Sequence, residues 1–132
     1  MTRQQSRDIR PDLARKHLAA GFDAYEQAGA CFVVTPFLRR DNDHVAVRVD
    51  EQSDGRFVIT DGGETVGYLR MSAHAVRDNP ALQAQLHSIE SSFGVRVEDE
   101  EILLETDESG FAQALATVAR AAQQASHLGA TT

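Results

Sequence analysis

The stretch from His44 to Thr60 constrains the fold of this chain most. Val45, Val47 and Val49 alternate with His44, Ala46, Arg48 and Asp50, the two-residue period of a strand with one buried face. Ser53-Asp54-Gly55 comes next. It is a hairpin signal, with glycine available for a positive φ. The chain then returns from Arg56 to Thr60, with Phe57 and Ile59 set against Val58. The spacing predicts an antiparallel hairpin over residues 44–60.

The flanking segments supply the rest of a layered fold. Pro11 suits a first helical position, and Ala14, Leu18, Phe22 and Tyr25 recur at helical spacing up to Gly29, so a helix is predicted over residues 11–28. Cys31-Phe32-Val33-Val34-Thr35 reads as a short buried strand ended by Pro36, which lacks a ladder donor. A short helix is predicted over residues 64–71, after Asp61-Gly62-Gly63. Asn79-Pro80 is an N-cap followed by a proline at N1, and Leu82, Leu86, Ile89 and Phe93 form the apolar stripe of the next helix, closed by Gly94. Residues 95–98 and 102–105 read as a second hairpin. A last helix over residues 109–126 buries Phe111, Leu115, Val118 and Ala122. The predicted order is α-β-β-β-α-α-β-β-α, an α+β class with an antiparallel sheet of about five strands in two hairpin groups. Three main helices and one short helix pack with it. A length of 132 residues fits one domain over residues 1–132, with residues 1–8 and 128–132 expected to be flexible.

Apolar residues at 42% and charged residues at 25% are ordinary for a globular protein and argue against wholesale disorder. No apolar run is long enough to span a bilayer, and the N-terminus has no apolar h-region, so no membrane association is expected. Cys31 is the single cysteine, which rules out an internal disulfide and a multi-cysteine zinc site. These features point to the cytoplasm. The net charge is −7, which argues against nucleic acid as a general ligand. The charge is unevenly placed: residues 1–40 sum to +3, residues 41–77 to −3 and residues 78–132 to −7. Glu98, Asp99, Glu100, Glu101, Glu105, Asp107 and Glu108 crowd the second hairpin and the approach to the last helix.

Two segments are distinctive: Thr35-Pro36-Phe37-Leu38-Arg39-Arg40-Asp41-Asn42-Asp43-His44, and Phe57-Val58-Ile59-Thr60-Asp61-Gly62-Gly63-Glu64-Thr65. With Tyr68-Leu69-Arg70-Met71-Ser72 and Phe93-Gly94-Val95, they resemble a bacterial and phage family catalogued as a domain of unknown function, number eighteen-twenty-eight. The likeness covers roughly residues 30–125. The chain departs from the family pattern at Gly62, where an acidic residue is common. The resemblance implies a cytoplasmic protein in phage or mobile-element settings and no established reaction.

Asp41, Asp43, His44 and Asp61 form the one candidate acid–base or metal cluster, since two begin a strand whose antiparallel neighbour Asp61 ends. Such ligands suit magnesium, manganese or zinc. The competing reading is local structure: Asp and Asn in turns bond their own backbone, and Asp61 can cap the helix after it. Gly62-Gly63-Glu64-Thr65 could form an anion nest, but it is neither a P-loop nor a dinucleotide fingerprint. Arg39 and Arg40, with Phe37, could grip a phosphate or an acidic partner, or simply be solvated. The favoured expectation is a non-enzymatic binding protein, a phage or mobile-element accessory or counter-defence factor that inhibits or modulates a host protein. Its acidic rim, Glu98 to Glu101, with Arg39 and Arg40, would meet a basic protein surface, with no cofactor. One alternative is a metal-dependent hydrolase or phosphoesterase using Asp43, His44 and Asp61, with Asp41, Asp43 and Asp61 as metal ligands. Another is a structural or oligomerising module, which leaves a homodimer open.

Overall fold

A computed structural model describes residues 7–8, 21–73 and 79–128. Among the described residues seven strands form one antiparallel sheet: β1 (Arg7–Asp8), β2 (Asp23–Gln27), β3 (Ala30–Leu38), β4 (His44–Glu51), β5 (Phe57–Thr60), β6 (Arg96–Glu98) and β7 (Glu101–Thr106). Their order is β2-β3-β4-β5-β7-β6, and the dipeptide β1 pairs with the end of β4. The described helices are α1 (Glu64–Ala73), α2 (Pro80–Phe93) and α3 (Phe111–Ala125), the last entered through a 3-10 turn at Glu108–Gly110. The chain is therefore α+β, with two more strands than the sequence suggests.

Alternation along β4 decides which face is covered. Val45, Val47 and Val49 are buried, and register places Cys31, Val49, Ile59 and Leu104 side by side. Phe111 of α3 meets Phe57 on this face edge-on, with ring centroids 5.3 Å apart. Leu115, Val118, Ala119 and Ala122 continue the contact. Leu82, Leu86 and Ile89 of α2 join the same core. The helix ends are capped as expected: Asn79 Oδ1 accepts from the Leu82 N–H at 3.1 Å, and Gly94 sits at φ 71°.

The predicted helix over residues 11–28 is corrected at its end. Residues 23–27 form β2 and pair with β3, so Tyr25 lies opposite Phe32; the part of that helix over residues 11–20 lies outside the described residues. Ala28 (φ 54°) and Gly29 (φ 79°) form the two-residue turn of this hairpin. Both left-handed positions match the type I′ geometry that suits strand twist. Gly29 is thus a turn residue rather than a helix stop.

Pro36 does not end β3 either. The register shifts between Val34↔Ala46 and Leu38↔His44, leaving two extra residues on β3. This bulge accommodates a residue that cannot donate. The Thr35 hydroxyl spans it, donating to the Val45 carbonyl at 2.9 Å and accepting from the Phe37 N–H at 3.3 Å. Of the ends expected to be flexible, Arg7 and Asp8 pair with Glu51 and Asp50, and Leu128 packs against the core. Residues 1–6 and 129–132 lie outside the described residues.

Candidate functional site

Three loops meet at one end of the sheet, because β5 runs antiparallel to both β4 and β7: residues 39–43, residues 61–63 and the turn Asp99-Glu100. Asp61 is the most deeply built of their acids, only 4% exposed. Its Oδ1 accepts from the N–H groups of Gly63 and Ile102, each at 2.9 Å, and its Oδ2 accepts from Thr65 at 3.2 Å. One carboxylate thus caps α1 and clasps β7 to β5. The neighbouring Thr60 hydroxyl accepts from the Gly62 N–H at 2.9 Å and donates to Glu101 Oε1 at 2.6 Å. The Gly62-Gly63 nest is therefore filled by the chain's own oxygens.

Asp41 and Asp43 stand in a different setting. Arg39 holds both, through contacts of 3.0 Å to Asp41 Oδ2 and 3.2 Å to Asp43 Oδ2. The Asp43 N–H donates to Asp41 Oδ1 at 3.1 Å, the Asx turn that the sequence allows. That backbone bond is the main reason the Asp41 pKa lies below its ordinary value, with Arg39 adding to it. Burial works against the Arg39 charge, but the bond and field of Asp41, with Asp43 and Glu64, outweigh it and raise its pKa. The guanidinium also lies 5.2 Å from the centre of the Tyr68 ring. His44 Nδ1 contacts the Thr35 carbonyl oxygen at 2.7 Å. Since a carbonyl only accepts, that nitrogen carries the proton.

The expected convergence of Asp43, His44 and Asp61 is not found. Pairing of β4 with β5 stops at Arg48↔Thr60, so His44 extends four residues past the last pair. Among the described residues, no group of three His, Cys, Asp or Glu side chains could hold a metal ion. Arg40 keeps an exposed side chain, while its backbone N–H donates to Ser126 Oγ at 3.1 Å.

Three carboxylates of the acidic hairpin are paired with arginines. Glu98 pairs with Arg96 at 3.3 Å, Glu100 with Arg70, and Glu105 with Arg56 at 3.8 Å. Asp107 accepts from Ser109 and from the Gly110 N–H, and these bonds, the serine's first, lower its pKa. At the turn itself, Asp99 (φ 51°) and Glu100 (φ 67°) both occupy the left-handed region.

The sheet's second face carries a feature the sequence pattern does not announce. Register sets Tyr25, Phe32, Arg48, Thr60 and Leu103 in one row across five strands. Tyr25 and Phe32 stack, with centroids 5.5 Å apart and planes 21° from parallel. Beside them opens a cleft of about 380 Å3 with Phe32, Ala46 and Arg48 in its floor. Gln27 lies on one side and Asp61, Gly62 and Glu64 on the other. Asp50, itself buried, holds Arg48 Nε at 3.3 Å. Two aromatics equally spaced about Ala28-Gly29 were the available signal, hidden by the fit of Tyr25 to a helical period.

The segment from the β3 bulge through the Asp61 corner to α3 decides the family. A family model described as a domain of unknown function, DUF1828, matches residues 35–124. The chain belongs to the DUF1828 family. No curated protein and no solved structure matches it. Within this DUF1828 member the match includes the Asp61 corner and the acidic hairpin, whereas Tyr25, Gln27 and Phe32 precede it. Among the described residues, no helix is long and apolar enough to cross a membrane.

Proposed function

We propose that this DUF1828 protein is a non-enzymatic binding protein that engages a basic surface of a partner protein through the acidic end of its sheet. In this reading it is a phage or mobile-element accessory that modulates a host protein. One observation carries the proposal: two carboxylates, Asp99 and Glu100, occupy a two-residue turn at positive φ. Aspartate suits the first position of such a turn, but glycine is favoured at the second, so the strain falls on Glu100. A side chain held in the left-handed region costs roughly 1 kcal/mol or more, and strain of this kind concentrates at functional sites. Glu100 pairs with Arg70 within the fold, while Asp99 stands exposed at the tip of the turn. The carboxylates that a hydrolase would need are engaged otherwise, Asp61 by three backbone N–H groups and Asp41 and Asp43 by Arg39.

The test is capture of partners from a bacterial lysate, using the wild-type chain and a Glu98→Gln/Glu100→Gln/Glu101→Gln variant. A basic protein retained by the first and released by the second is the expected result. Identical capture by both would remove the acidic hairpin from the account.

A further inference from the structure

We infer that the cleft on the second face of the sheet receives an arginine side chain from a basic, extended segment of the partner protein. This rests on the binding reading above and adds the side-chain chemistry and the place. The cleft is at the small end of the range of about 300–1,000 Å3 typical of small-ligand sites, a size for one or two side chains rather than a folded element. Its aromatic side is the Tyr25–Phe32 pair, stacked and half-buried. A guanidinium is planar and weakly hydrated, and it stacks on such rings better than an ammonium does. Across the cleft Glu64 is exposed and offers a carboxylate to the guanidinium N–H fork.

Charge complementarity selects a cation over an anion. Arg48 in the floor is held by Asp50, so it does not present an uncompensated positive charge. Asp61 adds a carboxylate beside the cleft, its oxygens bonded to backbone. The acidic hairpin adjoins the same rim: a Cβ built on Gly63 would lie 3.7 Å from the Glu100 carbonyl oxygen and 3.8 Å from Glu101 Cγ. Among the described residues around the cleft and hairpin, Arg39, Arg48, Arg70 and Arg96 stand against nine carboxylates, those of Asp41, Asp43, Asp50, Asp61, Glu64, Glu98, Asp99, Glu100 and Glu101. A nucleotide or acidic peptide would be repelled by this field; a basic segment would be drawn along it, with one arginine seated between the rings and Glu64. The aromatic side precedes residues 35–124, where the family match lies, so the inference concerns this chain's own choice of partner.

The experiment titrates the full chain with capped hexa-arginine, hexalysine and hexaglutamate peptides at about 0.15 M salt, followed by NMR. Hexa-arginine is expected to bind about fivefold more tightly than hexalysine and to shift the ring signals of Tyr25 and Phe32 and the Gly62 amide. Phe32→Leu should bring hexa-arginine down to the affinity of hexalysine, and the surface change Glu64→Gln should weaken it without affecting the fold. Shifts confined to Glu98–Glu101, with Phe32→Leu and Glu64→Gln both silent, would overturn the cleft while leaving the acidic-surface reading intact. Binding of neither cationic peptide would overturn both. Tighter binding of hexaglutamate would overturn the charge argument. Concentration-dependent shifts of the cleft residues without peptide would assign the cleft to a second copy of this chain and overturn the inference.

Discussion

Asp61 and Asp41 lie in loops at the same end of one sheet and do opposite things with the same side chain. Asp61 is buried, and its two oxygens take three N–H groups from two separate parts of the chain. Asp41 is exposed, and its bonds reach no further than Arg39 and Asp43. The difference lies in what surrounds each loop. β5 ends against β7, so its corner must satisfy buried N–H groups as well as the start of α1. The β3–β4 loop projects past the last β4–β5 pair and answers only to its own backbone. An aspartate-rich corner is thus a structural clasp where a neighbouring strand closes over it, and a surface charge where none does.

The comparison breaks most easily at Asp61. Asp61→Ala leaves three N–H donors without their acceptor, two of them on buried residues. The expected loss is about 3 kcal/mol in denaturant unfolding. Asp61→Asn keeps one accepting oxygen and should lose about half as much. If Asp61→Ala were no more destabilising than Asp41→Asn, the clasp would not exist.

A smaller effect of opposite sign is expected at the acidic turn. Asp99→Asn with Glu100→Gly supplies the residues that a type I′ turn favours. Stability should rise by roughly 1 kcal/mol, reduced by loss of the exposed Arg70–Glu100 pair.

Asp41→Asn sharpens the other side of the comparison. The folded-state pKa of Asp41 is depressed below the ordinary 3.8. Its contribution is therefore present above that value and is lost as pH falls through the lower folded value. Wild type and variant should differ slightly at neutral pH and converge in acid, below pH 3.8, as read from thermal midpoints across pH. A difference that grew in acid would contradict the assignment. Smallest of all is the response to metal. Magnesium, manganese or zinc should leave the midpoint unchanged, because a bound ion would raise it and the carboxylates are already engaged. A clear rise that Asp43→Asn abolished would restore the hydrolase alternative.

What could be read from the sequence tracked the range of the interaction. Helix α2 was legible to the residue, since Asn79, Pro80 and Gly94 act on their own helix ends. The β4–β5 hairpin was legible because alternation and turn lie within one stretch. Strand β2 was not, because Tyr25 fits a helical stripe until pairing with Phe32 is known. The Asp61 corner was half legible: capping of α1 is local, but the bond to Ile102 spans 41 residues. The cleft was invisible, since it needs the strand register that brings Phe32 beside Arg48. The acidic residues were visible as a cluster, but the pairing of Glu98, Glu100 and Glu105 with Arg96, Arg70 and Arg56 was not.

The central claim is that the acidic end of the sheet is there to contact a basic partner. The Asp99→Asn/Glu100→Gly variant tests it most directly, because its fold should be at least as stable as the wild type. Titrated with capped hexa-arginine at about 0.15 M salt, it is predicted to bind more weakly than the wild-type chain. Equal affinity in a variant shown to be more stable would contradict the account.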